Sequence, residues 1–231
     1  MKNNKKILAI IPARSGSQGL KNKNILKLNK KPLLSYPIMA AKNSKYIDMV
    51  LCSTDSPKYI KIAEKFGAKC PFVRPKSLSS QKTSSYDVII HAIKFLKKTN
   101  NIFDYVVLLE PTSPLTTASD VDRAIDEMFK KKCLSCVTLG KSHKIFSNNI
   151  YKLRKKFIIP IDKKKRKHFR RQDIKEYFLD GSLYISDIRS FIKNKGFVNK
   201  NTYGYVIQDR LKNLEIDDKF DYLLIKKFLN G

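Results

Sequence analysis

Short apolar runs bounded by turn residues alternate along this chain with longer segments of helical period, and no other feature narrows its possible folds so far. The runs at 7–11 (Ile-Leu-Ala-Ile-Ile), 49–52 and 105–109 are too short for helices and apolar at successive positions, as strands covered on both faces must be. Between them, 57–66 and 86–96 repeat apolar residues at helical spacing, with Val88, Ala92, Phe95 and Leu96 on one face. Such alternation reads as βαβ units in an α/β fold with a mainly parallel sheet. The same reading gives a helix at 32–41, a short strand near Phe72, a helix at 120–129 capped by Ser119 and a strand at 135–139. Strands at 183–185 and 203–207 follow. A closing helix at 220–229 carries an apolar face of Phe220, Leu223, Leu224 and Phe228.

The rhythm breaks from Lys141 to Lys175, where Lys and Arg crowd together. Residues 141–177 therefore read as a small inserted protrusion in a domain formed by 1–140 and 178–231. A disordered linker is the other reading, but Ile158, Ile159, Ile161, Phe169 and Tyr177 supply apolar anchors, and an ordered protrusion is expected.

The chain of 231 residues carries 48 Lys+Arg against 20 Asp+Glu, a net charge of +28. Nucleic-acid binders gather such charge on one face and pair it with a groove-reading motif. Here lysines are scattered through nearly every segment, so a nucleic-acid partner is not expected and anionic small substrates are. No apolar run approaches the roughly 20 residues of a membrane span, and the 7–11 run is stopped by Pro12 before it reaches the length of a signal-peptide core. The expected location is cytoplasmic. Cys133 and Cys136 form a lone CxxC, and His91, His143 and His168 show no metal-ligand spacing to it. Together with Cys52 and Cys70 they read as reduced, mostly buried thiols.

After the first apolar run comes Pro12-Ala13-Arg14-Ser15-Gly16-Ser17-Gln18-Gly19-Leu20, then Lys21-Asn22-Lys23-Asn24. A Gly- and Ser-rich loop at the carboxyl end of a parallel strand brings backbone N–H groups close to a ligand, and Arg14 and the lysines add positive charge. That combination suits phosphate. It is neither a Walker P-loop nor a GxGxxG fingerprint, and an ordinary strand-to-helix connection has a similar composition.

Residues 11–24, IPARSGSQGLKNKN, resemble the N-terminal signature of the acylneuraminate cytidylyltransferases, the CMP-sialic acid synthetase family. Further matches follow in order: Arg74-Pro75-x-x-Leu78 with Thr83-Ser84-Ser85, then Leu108 to Leu115 (LLEPTSPL), then Asp180-Gly181-Ser182-Leu183-Tyr184-Ile185 with Leu214-Glu215-Ile216-Asp217. The resemblance implies an α/β nucleotidyltransferase fold. It also implies a homodimer in which the protrusion of one subunit helps to close the sugar site of the other. The implied reaction joins CMP from CTP to the anomeric hydroxyl of a sialic-acid-type nine-carbon sugar acid, releasing pyrophosphate.

On this resemblance Ala13, Arg14, Ser15, Gly16, Asn24, Arg74 and Ser85 bind the nucleotide, and Arg14, Lys23 and Asp217 carry catalysis. Asp217 and Glu215 hold Mg²⁺, an ion that suits hard oxygen ligands. Glu110, Thr112, Ser113, Arg171, Gln172, Asp180 and Gly181 face the sugar, and the Arg171 guanidinium suits a sugar carboxylate. The chain departs from the family at Gln18 (usually Lys), Glu110 (often Gln), Thr116 (usually Arg), Phe178 (Arg in some members), Asp180 (usually Asn) and Glu215 (usually Asp). Carboxylates at 110 and 180 accept hydrogen bonds and donate none, from which a preference for a legionaminic-type sugar over N-acetylneuraminic acid is expected. A 3-deoxy-octulosonate cytidylyltransferase is the same-class alternative, and a nucleotide- or nucleic-acid-binding protein without transferase activity is the other.

Overall fold

The computed structural model describes residues 2, 4–17, 19–143, 146–147, 150–155, 157–161 and 175–230, with the backbone alone at 157, 158 and 230. In chain order the elements are β1 (Ile7–Pro12), β2 (Lys27–Leu28), β3 (Lys31–Pro32), α1 (Ser35–Lys42), β4 (Met49–Ser53), α2 (Pro57–Lys65), α3 (Ser85–Lys98), β5 (Tyr105–Leu109) and α4 (Ala118–Lys130). They continue as β6 (Ser135–Lys141), β7 (Tyr151–Arg154), β8 (Phe157–Pro160), β9 (Tyr177–Asp187), α5 (Ile188–Asn194), β10 (Thr202–Val206) and α6 (Lys219–Asn230).

The main sheet has six strands in the order β10-β6-β9-β5-β1-β4. Pairings of β1 with β4, β1 with β5 and β6 with β10 are parallel. Only β9 runs the other way, antiparallel to both β5 and β6. The doubly apolar strands explain the layering. Ile7, Ala9 and Ile11 point to the face covered by Leu34 and, in α1, Ile38, by Tyr59 and Ala63 of α2, and by Val121, Ile125 and Met128 of α4. Leu8 and Ile10 point to the opposite face, covered by Ile89, Ala92 and Leu96 of α3 and by Phe191 of α5. Alternation along one strand thus feeds two cores.

Several local expectations are corrected. The cap of α4 is Thr117 rather than Ser119: its hydroxyl oxygen accepts from the Asp120 N–H, and Asp120 bonds back to the Thr117 N–H at 2.9 Å in a reciprocal box. Phe72 lies in no strand; its ring packs edge-on against His91 and beside Phe95. Helix α1 begins at Ser35, because Pro32 belongs to the short β2–β3 hairpin. All four cysteines are free thiols. The expected protrusion contains a separate hairpin, β7 with β8. Among the described residues no helix is long and apolar enough to cross a membrane.

The largest correction concerns α6. Its core side is Tyr222, Ile225 and Leu229, packed with Leu28, Leu33 and Ile216. The expected face lies outward, with Phe220 72%, Leu223 51% and Phe228 51% exposed. Both sides of this helix are apolar, so periodicity alone selects the wrong one. Ile225→Ala is expected to cost about 2–5 kcal/mol of unfolding free energy, and Phe220→Ala no more than about 0.5 kcal/mol. Paired chemical denaturations read both values, and the reverse ranking would contradict this orientation.

Candidate active site

The carboxyl ends of β1, β4 and β5 open on one side of the sheet, where parallel α/β folds place their ligands. The Ala13 N–H donates to the Ser53 carbonyl at 2.9 Å, continuing the β1–β4 ladder one residue past the strand. Ser15 is then held twice by Asp55, through its N–H at 2.8 Å and its hydroxyl at 3.0 Å. Asn24 is buried; its side-chain amide donates to the Arg14 carbonyl at 3.0 Å, and its own carbonyl accepts from the Leu34 N–H at 2.8 Å. The loop is thereby pinned at both ends, with Gly16 exposed at its crest. Asp55 was not singled out in the sequence, although its place two residues beyond a parallel strand is a signal that could have found it.

A second segment closes on this loop from the far end of the chain. The Ile216 N–H donates to the Thr112 carbonyl at 2.8 Å, fastening residues 214–217 to the loop that follows β5. The Asp217 and Asp218 N–H groups both donate to the Asp221 carboxylate, at 2.9 and 3.1 Å, and the Asp221 N–H returns a bond to Asp218 at 3.0 Å. Asp217 is therefore set at the entrance to α6 by a capping box. Lys23 bridges the two segments: its ammonium donates to the Ile216 carbonyl at 2.8 Å and to the Asp217 carboxylate at 3.2 Å. Gly19 comes so close that a Cβ there would lie 2.5 Å from the Asp217 carbonyl oxygen.

Between them lies a cleft of about 360 Å³ lined by Pro12, Arg14, Ser17, Gly19, Lys23, Asn24, Glu110, Pro111, Thr112, Glu215 and Asp217. Of the expected residues, the cleft gathers Arg14, Lys23, Asn24, Glu110, Thr112, Glu215 and Asp217. Ala13 and Ser15 support the loop from behind. Arg74 is 4% exposed, its N–H bonded to the Thr54 carbonyl at 2.8 Å, and its Nε and Nη2 have no partner among the described residues. Burial pushes its guanidinium pKa below the ordinary value. Unfilled donors on a buried guanidinium call for an acceptor. Ser85 is exposed at the first turn of α3 and outside the cleft lining. Ser113 is buried, and its hydroxyl has no partner among the described residues. Arg171, Gln172 and Gln18 lie outside the described residues.

Asp180, expected to face the sugar, is buried among internal partners. It is 2% exposed, and its carboxylate accepts from the Thr138 hydroxyl at 2.5 Å, the Ser182 N–H at 3.1 Å and the Asn213 amide at 2.9 Å. These three donors are all internal, from the sheet and the 210–213 segment. Glu110 likewise sits in the carboxylate cluster, with the Thr112 hydroxyl, Lys23 and Asp217 as its polar neighbours. Of the two acidic groups from which a sugar preference was expected, Glu110 lines the cleft and Asp180 does not. Gly181 serves instead as a clearance. Its φ is +69°, and a Cβ there would meet the Glu215 Oε1 at 1.3 Å, so only glycine fits both the backbone and the neighbour.

Crowded carboxylates shift one another. Burial, then repulsion from Glu110, Asp217 and Asp180, pushes the Glu215 pKa up to about 7. Burial and Asp217 raise that of Glu110 against the opposing pull of Lys23. Two or three oxygen-bearing acids whose negative charges are mutually unfavourable would be relieved by a hard cation. Among the described residues no three His, Cys, Asp or Glu side chains already converge on one point.

The profile of the cytidylyltransferase family matches residues 8–228. The chain belongs to that family. Among its relatives, the N-acylneuraminate cytidylyltransferase of Escherichia coli O18:K1:H7 is 34% identical over 222 residues, covering 95% of this chain and 51% of that protein. This chain thus spans about half the length of that relative. A pseudaminic acid cytidylyltransferase of Campylobacter jejuni is 31% identical over 89% of both chains. The CMP-N,N'-diacetyllegionaminic acid synthase of Legionella pneumophila is 30% identical over 97% of this chain and 96% of its own. A solved CMP:2-keto-3-deoxy-manno-octonic acid synthetase complexed with CTP superimposes with a TM-score of 0.68 over 97% of this chain and 98% of its own. At 16% identity it shares the family's α/β fold.

The Glu215 shift has a sign that can be checked. A carboxyl whose pKa is raised on folding contributes stability that is complete below the ordinary value of 4.5 and lost as pH rises to about 7. The melting temperature of ligand-free protein should therefore fall relative to Glu215→Gln across that window, and the gap should level off above it. A gap that stays constant from pH 4.5 to 8 would show that Glu215 ionises without strain.

Proposed function

We propose that this chain transfers CMP from CTP to the anomeric hydroxyl of a nonulosonic acid and releases pyrophosphate. The observation that carries the reading is the cleft in which Arg14, Lys23 and Asn24 face Glu110, Glu215 and Asp217 across the end of β1. Cations and loop N–H groups on one wall suit phosphates, and acids on the other suit a divalent cation. Relatives of comparable length include ones whose names specify pseudaminic or legionaminic acid, and the sugar class is taken from those.

In this reading the Arg14 guanidinium, with the backbone N–H groups of Arg14 and Gly16, holds the triphosphate and neutralises charge that develops at the α-phosphorus. Arg74, with its two unfilled donors, answers an acceptor on the nucleoside. Asp217 and Glu215 are the residues that would hold Mg²⁺, with Glu110 beside them. When bound, the ion offsets phosphate charge, and it takes one or two carboxylates together with substrate oxygens and water. Lys23 would exchange its bond to Asp217 for a phosphate contact when the nucleotide enters. The chain's remaining task is alignment: fixing the two reactants for in-line attack removes most of the entropic barrier without a covalent intermediate.

The assembly proposed is a homodimer built on the protrusion. Tyr151, Leu153, Ile159, Ile161 and Tyr177 are exposed there, as are Phe178 and Leu179 just beyond it, apolar side chains that a partner could cover. A second cavity of about 570 Å³ lies at its base, lined in part by Phe178, Glu176, Arg210 and Asn213, where a sugar and a partner's protrusion have room to meet.

Pyrophosphate release is the direct test, with CTP, Mg²⁺ and a panel of N-acetylneuraminic, legionaminic, pseudaminic and 3-deoxy-octulosonic acids. Turnover is expected with at least one nine-carbon acid, while turnover with the eight-carbon acid alone would reassign the substrate. Arg14→Ala should lower the rate by about 10² or more, and Asp217→Asn should abolish turnover while metal-free CTP binding survives. Sedimentation velocity should give a dimer at micromolar protein; a monomer there would remove the proposed interface.

A further inference from the structure

Four ties converge on the short 3₁₀ turn Arg210–Asn213, which lies immediately before the carboxylate segment of the cleft. The first is the Asn213 amide on the buried Asp180 carboxylate at 2.9 Å. The second is the Ser182 hydroxyl on the Lys212 carbonyl at 3.2 Å. The third and fourth run from the Lys212 ammonium to Asp120 at 2.5 Å and to Thr117 at 3.4 Å, both within the cap of α4. The turn is thus fixed to the sheet on one side and to a helix end on the other.

The sheet side has an unusual cause. The β6–β9 register shifts between Val137 and Leu139, which pair with Tyr184 and Leu179 respectively. Residues 180–183 are thereby left opposite Thr138 alone. The Thr138 hydroxyl fills the irregularity, accepting from the Leu183 N–H at 3.1 Å and lying 3.2 Å from the Leu183 carbonyl and 2.5 Å from Asp180. A buried carboxylate without partners would be costly. Here Thr138, the Ser182 N–H and Asn213 supply three donors, so the charge becomes a fixed attachment point. Gly181, next to it, is the bare backbone against which the Glu215 carboxylate lies. A displacement of Asp180 would move both the turn before Glu215 and the surface beneath it.

We infer that Asp180 and Asn213 are a positioning pair: by joining the β9 irregularity to the turn at 210–213, they set where Glu215 and Asp217 stand in the cleft. The kinetic part of the inference rests on the CMP-transfer reading; the structural part does not. The logic is one of donors and acceptors. Asp180 only accepts, and Asn213 donates to it. Asn213→Asp therefore sets two carboxylates face to face, whereas Asp180→Asn is tolerated, because the Asn213 amide can turn to present its oxygen. The double exchange Asp180→Asn with Asn213→Asp restores a donor–acceptor pair in reverse polarity.

The experiment compares the three variants with wild type in two readouts. In the first, Asn213→Asp is expected to lower kcat about tenfold or more, with KM for CTP within about threefold, since Arg14 and Asn24 are untouched. The double variant should recover most of that loss. In the second, hydrogen exchange of the Ile216 amide should quicken at least tenfold in Asn213→Asp and slow again in the double variant, while amides of β1 are unchanged. A double variant as impaired as Asn213→Asp, an Ile216 amide indifferent to the single change, or an equal acceleration throughout the protein would each overturn the pair's role. A wild type that transfers CMP to none of the acids would defeat the functional reading, and exchange would still decide this one.

Discussion

The bridge made by Lys23 is the interaction on which the site depends. One ammonium group, rooted beside the loop after the first strand, donates to the Ile216 carbonyl and to Asp217, 193 and 194 residues further along the chain. It joins the two segments whose separate chemistries, cationic and acidic, give the cleft its character. The Gly19 approach to the Asp217 backbone leaves no room for a side chain between those segments, so the contact is close as well as charged. A neutral residue at 23 would leave three acids facing one another with less to offset them.

The rest of the architecture serves to place these two segments. β1 is paired on both sides, with β5 and β4, and apolar on both faces, so its end is firmly held. β9 is the one antiparallel member, and its irregularity opposite Thr138 supplies Asp180 as an anchor and Gly181 as a clearance. The acids are then partly buried and close to one another, and burial first, with their mutual repulsion second, pushes Glu215 up to about 7. Strain of that kind, maintained by surrounding bonds, is common where a bound ion later relieves it.

Much of this was legible in the sequence. Apolar runs at 7–11, 49–52 and 105–109 are legible because they are too short for helices and apolar at successive positions, as suits strands covered on both faces. The loop after the first run carries its chemistry in adjacent residues, and the cleft collects seven of the expected side chains. Failures came where a three-dimensional choice decides between equivalent local patterns. α6 is apolar on two sides, and only packing against Leu28, Leu33 and Ile216 selects one. Ser119 and Thr117 are both competent caps, and the box with Asp120 favours the earlier. The internal partners of Asp180 could not be read locally either: Thr138 and Asn213 lie 42 and 33 residues away, brought together by a register shift that no local pattern announces.

The central claim is that cations on one wall and acids on the other form a single site for a metal-bound nucleotide. Calorimetric titration of CTP into the wild-type protein, with excess Mg²⁺ and then with a chelator, tests it most directly. The account predicts saturable binding of one CTP per chain, tightened at least about tenfold by Mg²⁺, or about 1.4 kcal/mol, because the triphosphate otherwise meets the negative wall unshielded. Equal affinity in the two conditions would contradict it, leaving the three acids without a role in nucleotide binding.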